Sequence, residues 1–294
     1  MRKEGKLMLY DVIIIGSGPA GISAALYARR ANLNVLIISK GIGILSKIEK
    51  IENYYGLENS ISGKELQKIG EKQAENLGVQ IKKEEVVNII YDEDYKIETV
   101  NNIYESKTII LATGMSRRTV NIKGIKEFEG KGVSYCATCD GFFFKDKKVA
   151  VLGSKDYAFH EAKYLKQVAN SVTILTNGEE LVENRSEGFE IDERKISEFR
   201  GTDIIEEIEF EDNSKEKIDG VFVALGTATT SDLARKLGVV LDEQKHIKVD
   251  EQMRTNLPGV YACGDCTDER PLQIAKAVYE GMIAGMSAIK SVKG

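Results

Sequence analysis

The stretch Asp11-Val12-Ile13-Ile14-Ile15-Gly16-Ser17-Gly18-Pro19-Ala20-Gly21 decides the fold. A short run of β-branched apolar residues ending at a glycine reads as a strand buried on both faces. A helical pattern follows from Ile22 to Arg30, and Asn34 to Ser39 repeats the apolar run. Strand, glycine turn, helix and second strand make a β-α-β unit of dinucleotide-binding size. Gly16 permits the tight turn, Gly18 lets the backbone approach a pyrophosphate, and Gly21 lets helix and strand pack closely. Ser17, Pro19 and Ala20 complete the turn, and the helix N-terminus offers N–H groups to the phosphates. The acidic residue expected ~20 positions on, for a ribose, is replaced by Ser39-Lys40.

Outward from this unit, Gly41 to Gly63 is irregular and holds Glu52-Asn53-Tyr54-Tyr55-Gly56. Lys64 to Gly78 has amphipathic helical spacing, and Val79 to Thr108 alternates like a small meander of strands. Ile109 to Gly114 is another buried strand ending in a small turn. Ser116 to Tyr135 is basic and contains glycine, like a crossover between domains. A second β-α-β unit begins near residue 147, with strands at Lys147 to Leu152 and Ser171 to Thr176 around a turn and helix. Glu179 to Gly201 is highly charged and reads as surface loop and helix. Ile204 to Glu211 and Ile218 to Leu225 read as strands. Gly259 to Asp265 is a strand running into a glycine-acid turn, and Gln273 to Lys290 is a long helix. The two units form an internal pseudo-repeat, the first finished by the C-terminal segment.

Between them lies Cys136-Ala137-Thr138-Cys139-Asp140-Gly141. Two thiols at this spacing cycle between dithiol and disulfide with little backbone movement, and the carboxyl of Asp140 is placed to exchange a proton. The same spacing is half of a zinc site, and the motif alone leaves both readings open. The chain of 294 residues suits one or two domains. A net charge of -5, scattered along the chain, argues against a nucleic-acid surface. No apolar run approaches the ~20 residues of a membrane helix, and Met1 to Tyr10 is too short and charged for a signal peptide. Four cysteines are too few for a disulfide framework, which points to a reducing cytoplasm and a working disulfide.

Together these pieces resemble the low-molecular-weight thioredoxin reductases. The resemblance is carried by Gly16 to Gly21, Glu52-Asn53 with Gly56, Ala112-Thr113-Gly114, Cys136 to Phe144, Val260 to Asp265 and Leu272 to Gly285, in the family's order over nearly the whole chain. It implies an α/β fold of two Rossmann-like three-layer domains, the second inserted into the first. An FAD-binding domain would comprise 1–116 and 246–294, and 117–245 would carry the Cys-x-x-Cys. It implies a homodimer with thioredoxin as substrate and a rotation between domains. Cys139 would face the flavin, Cys136 would attack thioredoxin, and Asp140 would be the acid-base group. Gly16 to Gly21 would hold the pyrophosphate, with Ser39, Lys40 and Val87 along the same cofactor. Asp265, after Gly264, would hold the ribityl chain, and Gln273, Ile274 and Ala275 would lie along the ring. Asn53, Ala112, Thr113 and Gly114 would line the cleft. Ordinary turn chemistry is the alternative for Asn53 and Thr113, and a helix N-cap the alternative for Asp265. Cys263 and Cys266, where the family carries small apolar residues, read as buried small hydrophobes, with auxiliary redox or metal binding as alternatives. No metal is expected, and His160 and His246 read as non-catalytic.

The family pattern breaks at the second glycine turn, Gly153-Ser154-Lys155-Asp156-Tyr157-Ala158. Lys155 replaces the glycine that must meet a pyrophosphate. The family's basic motif for the NADPH 2′-phosphate is replaced by Thr176-Asn177-Gly178-Glu179-Glu180. This pattern resembles the ferredoxin-dependent flavin thioredoxin reductases, which implies a ferredoxin donor; Lys47, Lys50 and Lys123 to Lys131 are candidate docking charges. The alternatives are an NADPH-dependent reductase with an unusual site, a dithiol oxidase and a non-catalytic flavin-binding scaffold.

Overall fold

Leu9–Ile15 forms strand β1, and its last four residues are buried, as an apolar run flanked on both edges requires. The computed structural model describes residues 8–41, 43–114, 120–181, 188–226, 228–268 and 271–294. They divide into two compact units, Met1–Ser116 with Thr229–Gly294, and Arg117–Ala228. In the first unit β1 leads through the glycine turn into α1 (Pro19–Arg30), which starts on proline and ends on Arg29 and Arg30. Both choices suit the helix: proline needs no N–H there, and the arginines face the negative end of the dipole. Strand β2 (Val35–Ile38) is buried throughout. Helix α2 (Gly63–Asn76) is capped by Ser62, whose hydroxyl accepts from the Glu65 N–H at 3.2 Å. Strands β3 (Gln80–Lys82), β4 (Val86–Asp92), β5 (Asp94–Thr99) and β6 (Ile103–Leu111) follow.

The second unit contains β7 (Val133–Ser134), the one-turn helix α3 (Ala137–Asp140), β8 (Lys148–Leu152), α4 (Asp156–Leu165), β9 (Ser171–Leu175), β10 (Glu190–Asp192), β11 (Ile196–Gly201), β12 (Ile205–Phe210), β13 (Lys215–Lys217) and β14 (Gly220–Val223). Its parallel sheet runs β10-β9-β8-β14-β7, and β11-β12-β13 form a separate antiparallel sheet. One face of the parallel sheet packs on α3 and α4 through Val149, Val151, Phe159, Leu165 and Phe222. The other packs on the antiparallel sheet through Leu152, Phe199, Ile208 and Phe210.

The chain returns to the first unit with α5 (Thr230–Leu237), β15 (Val260–Ala262) and α6 (Ile274–Lys293). Its sheet is parallel in the order β3-β2-β1-β6, with β15 added parallel to the end of β6 and β5-β4 antiparallel beyond it. Helices α1 and α6 lie against each other at glycine contacts. A Cβ on Gly281 would stand 2.1 Å from the Ala20 carbonyl oxygen, and one on Gly285 2.7 Å from that of Ala24. Overfilling so close a contact costs about 1–3 kcal/mol. The contact brings the start of α6 beside the first glycine turn.

The structure differs from the sequence reading in four places. Helix α5 is new; it carries a full capping box between Thr229 and Asp232 and ends on Gly238 at φ 87. It packs on β4, so the chain rejoins the first unit at Thr229 rather than at the expected 246. Within 179–201, the expected surface helix is replaced among the described residues by β10 and β11, with Ile196 and Phe199 buried; 182–187 lie outside the described residues. Finally, β3 pairs parallel with β2 instead of joining the meander. Ser116 and 117–119, at the start of the expected crossover, are also outside the described residues.

Candidate functional site

The expected cofactor positions of the first unit gather where its parallel strands end. Gly16 to Gly21 follow β1, Ser39 and Lys40 follow β2, Ala112 to Gly114 follow β6, and Gly264 and Asp265 follow β15. Ligands in open α/β sheets bind at this edge. Gly16 has φ +114, and a Cβ there would lie 2.3 Å from the Ala112 carbonyl oxygen. That contact sets the Ala112–Gly114 turn against the first glycine turn. Gly18 is extended, at φ -72 and ψ -180, and no side chain caps α1. A Cβ on Gly18 would meet nothing within 4 Å. An open cradle before uncapped helix N–H groups fits a pyrophosphate. Gly264, at φ +83, sits where a Cβ would be 2.9 Å from that of Ala20. Asn53 Nδ2 donates to Gln273 Oε1 at 3.3 Å across 220 residues of chain, which joins the irregular segment to the start of α6, where Ile274 and Ala275 follow. Asp265 begins a turn, not a helix, so it caps nothing. Thr113 Oγ1 shares a hydrogen bond with Thr230 Oγ1 at the start of α5. Val87 lies in a bulge of β4 and its carbonyl accepts from Lys236 Nζ at 3.2 Å. Lys40 is drawn into an ion pair with Glu85 at 2.7 Å.

A buried ion pair lies under this edge. Lys276 Nζ is 2.9 Å from Glu280 Oε1, one turn apart on α6. Glu280 Oε2 accepts from the Gly264 N–H at 2.7 Å, and Lys276 Nζ donates to the Gly264 carbonyl at 3.3 Å and to Thr267 Oγ1 at 3.2 Å. Burial pushes the Glu280 carboxyl up, against the pull of Lys276 and the Gly264 N–H. The pair therefore fixes the Gly264–Thr267 turn to α6. The sequence reading passed over both residues, although opposite charges at i and i+4 in the apolar first half of a helix are a visible sign.

In the second unit Cys136 and Cys139 are joined as a disulfide, the arrangement that the redox reading of this motif requires. Cys136 is the N-cap of α3, its sulfur accepting from the Cys139 N–H at 3.1 Å. Cys136 is buried and Cys139 exposed. Asp140 Oδ2 accepts from Ser134 Oγ at 2.6 Å, which holds the carboxyl on the motif. The buried Glu161 of α4 accepts from the Ala137 N–H at 2.8 Å. Its neighbour His160 places Nδ1 3.4 Å from Glu161 Oε1, and His246 Nδ1 is 3.1 Å from Asp242 Oδ2. Phe142 and Phe143, beyond Gly141, are exposed.

The second glycine turn has the backbone of the first. Lys155 is extended at φ -108 and ψ 176, as Gly18 is, and likewise precedes a helix without a side-chain cap. Gly153 keeps the tight turn: a Cβ there would lie 2.2 Å from the Ala224 carbonyl oxygen. The difference is in what fills it. Ser154 is buried and its hydroxyl donates to Glu179 Oε2 at 2.8 Å, while Lys155 Nζ reaches the Glu180 carbonyl at 3.4 Å. Of the candidate docking lysines, Lys50 is paired with Glu52 at 2.8 Å and Lys123 with Glu198 at 2.5 Å.

Cys263 and Cys266 are free thiols, both buried. The Cys266 sulfur lies 3.3 Å from the Cys263 carbonyl oxygen and 3.4 Å from that of Leu111. Burial pushes the Cys266 thiol up to about 12 and that of Cys263 well above its ordinary value. Among the described residues no group of three or more His, Cys, Asp or Glu side chains is arranged to hold a metal. At about pH 8 only ~10⁻⁴ of such a Cys266 is thiolate, the reactive form. Iodoacetamide on the native reduced protein is therefore expected to label the Cys136/Cys139 pair and spare Cys263 and Cys266 until the chain is unfolded. Peptide mass spectrometry reads this, and rapid native labelling of either buried thiol would contradict it.

No helix is long and apolar enough to cross a membrane, among the described residues. The pattern of the pyridine nucleotide-disulphide oxidoreductases matches residues 10–281. Thioredoxin reductase of Listeria innocua is 35% identical, covering 100% of this chain and 96% of that protein. The crystal structure of the atypical thioredoxin reductase TRi from Desulfovibrio vulgaris Hildenborough is similar at TM-score 0.92 and 37% identity, over 96% of this chain and 97% of that one. A ferredoxin-flavin thioredoxin reductase from Clostridium acetobutylicum is similar at TM-score 0.73 and 34% identity, over 97% and 98%. With an open dinucleotide cradle on one unit and a Cys-x-x-Cys disulfide on the other, the chain belongs to the low-molecular-weight thioredoxin reductases, within the pyridine nucleotide-disulphide oxidoreductases, and is an FAD-dependent disulfide oxidoreductase.

Proposed function

We propose that this enzyme reduces the disulfide of thioredoxin through Cys136 and Cys139, and that its electrons come from a ferredoxin-type carrier rather than NADPH. The observation that carries the second half is the Ser154–Glu179 hydrogen bond at the second glycine turn. A carboxylate ~4 Å from a phosphate charge costs about 4 kcal/mol at an effective dielectric of ~20, roughly a thousandfold in affinity. Lys155 adds a side chain where the pyrophosphate needs bare backbone. Likeness to a ferredoxin-flavin thioredoxin reductase supports the same reading.

When bound, FAD supplies electron pairs and can itself be charged one electron at a time. Gly16 to Gly21 would hold its pyrophosphate, Asp265 the ribityl chain, and Asn53, Thr113 and Gln273 to Ala275 the ring side. Opening the Cys136–Cys139 disulfide takes two electrons and two protons and leaves two thiols. Cys136 as thiolate then attacks one sulfur of the thioredoxin disulfide, forming a mixed disulfide as the other sulfur leaves. Attack by Cys139 on Cys136 breaks that bond, restores the Cys136–Cys139 disulfide and frees the second thioredoxin thiol. The Cys139 N–H aimed at the Cys136 sulfur lowers the cost of the Cys136 thiolate. Because Cys136 is buried as a disulfide, access has to be created before it attacks. Asp140 gives the proton that the departing thiolate takes up.

The test is anaerobic turnover. Holoenzyme with oxidised thioredoxin is supplied with photoreduced ferredoxin in one vessel and NADPH in another, and new thiols are counted. Thioredoxin thiols are expected with ferredoxin, and with NADPH at no more than ~10⁻³ of that rate. Comparable rates from NADPH would overturn the donor assignment and leave the dithiol chemistry standing.

A further inference from the structure

The first unit lacks the acid at the end of β2 that usually takes a ribose in this kind of fold. The sequence has Ser39-Lys40 there, and Lys40 is committed to Glu85. A carboxylate nevertheless reaches the place from elsewhere in the chain. Glu71 Oε1, on α2, lies 2.8 Å from the Ser17 hydroxyl within the first glycine turn. Ser17 Oγ is in turn 2.9 Å from Ser39 Oγ, and Ser39 Oγ accepts from the Gly41 N–H at 3.2 Å. Gln67, one helical turn before Glu71, donates to Glu71 Oε1 at 3.1 Å, to Ser17 Oγ at 3.2 Å and to the Gly41 carbonyl at 3.2 Å. Helix α2 comes close because Gly70 has no side chain: a Cβ there would already touch Ile22 of α1 at 3.4 Å. Ser17 and Ser39 are buried and Glu71 is half-buried.

We propose that Glu71 stands in for the missing strand-end acid, and that its carboxylate accepts a hydrogen bond from a ribose hydroxyl of the adenosine half of FAD. Ser17 and Gln67 both hold Oε1. Among the described residues Oε2 has no hydrogen-bond partner, which leaves it to receive a ligand hydroxyl. Gln67 and Ser17 are positioning residues that fix the carboxylate at the turn. The inference rests on FAD being held at the first glycine turn, and it concerns binding rather than the redox step.

The test is equilibrium binding to the apoprotein, read by quenching of flavin fluorescence. FAD is compared with analogues lacking the adenosine 2′- or 3′-hydroxyl. The wild type is expected to bind at least one analogue about tenfold or more weakly than FAD, the loss set by one hydrogen bond to a charged group. In Glu71→Ala that preference should fall to about onefold, and Glu71→Gln, which keeps an acceptor, should retain part of it. The ratio between ligands is insensitive to a general loosening of the fold, and circular dichroism checks that each variant is folded. An unchanged ratio in Glu71→Ala overturns the proposal. So does tighter FAD binding with the preference intact, since a carboxylate that merely faces the pyrophosphate would repel it. Failure of the wild type to bind FAD at all would instead overturn the cofactor reading.

Discussion

Cys136→Ser is expected to stop thioredoxin reduction, with residual turnover below about 10⁻³ of the wild type, while FAD stays bound. The reason is stoichiometric as much as kinetic. A serine hydroxyl neither supplies the thiolate that attacks a disulfide nor forms the disulfide that closes the cycle. Unfolding would be the competing explanation for such a loss, and the magnitudes argue against it. The disulfide closes a loop with a sequence separation of only 3, for which the chain-entropy account allows about 2 kcal/mol. The core contacts around α3 do not depend on it: Ala137, Phe144 and Phe159 are buried in the second unit. The variant should therefore remain folded, its thermal unfolding lowered by about 4–8 °C at most and its flavin spectrum close to the wild type. Turnover above a tenth of the wild type would mean that electrons reach thioredoxin by another route, and a scaffold or a different dithiol would have to be considered.

Asp140→Asn is expected to slow thioredoxin reduction about a hundredfold, at the lower end of what a positioned proton donor contributes. This substitution separates proton transfer from geometry. Asparagine keeps a side-chain oxygen to accept from Ser134, now 2.6 Å from the carboxylate, so the turn after α3 is held while the exchangeable proton is lost. Steady-state rates with saturating reduced carrier measure it, beside Asp140→Ala, which loses both. A drop of less than about threefold in Asp140→Asn, with a large drop in Asp140→Ala, would assign Asp140 to holding Ser134 and remove it from the chemistry.

The first β-α-β unit was legible because its signals are local. The apolar run of β1, the glycines at 16, 18 and 21 and the helix after them lie within one stretch of chain; Gly16 and Gly21 each answer a close contact, and Gly18 leaves the space before the helix open. The same holds for Lys155, whose side chain could be placed at the second turn from spacing alone. Charge masked what followed. In 179–201 the acidic and basic residues hid the apolar Ile196 and Phe199, so β11 read as surface. Helix α5 carried its signal openly, Thr229 and Asp232 three apart before Leu233 and Gly238, and went unread because the segment was short. The Glu71 arrangement was beyond reach. Ser17 and Glu71 are separated by 54 residues, and only tertiary packing at Gly70 brings them together. The Lys276–Glu280 pair lies between these cases: its spacing is visible, but its hold on the Gly264–Thr267 turn is not.

The exposed Cys139 and buried Cys136 give the two sulfurs unequal access in the disulfide form. Sequence spacing treats the pair as equivalent, and the inequality appears only once α3 is built on Cys136 as its cap.

That electrons enter from a non-nicotinamide carrier is decided by the colour of the enzyme. Under argon, the FAD-loaded protein is mixed with one equivalent of NADPH and its flavin absorbance is followed, then with reduced ferredoxin. The expected record is an unchanged band with NADPH and bleaching with ferredoxin, reversed when oxidised thioredoxin is added. Rapid bleaching by NADPH alone would contradict it.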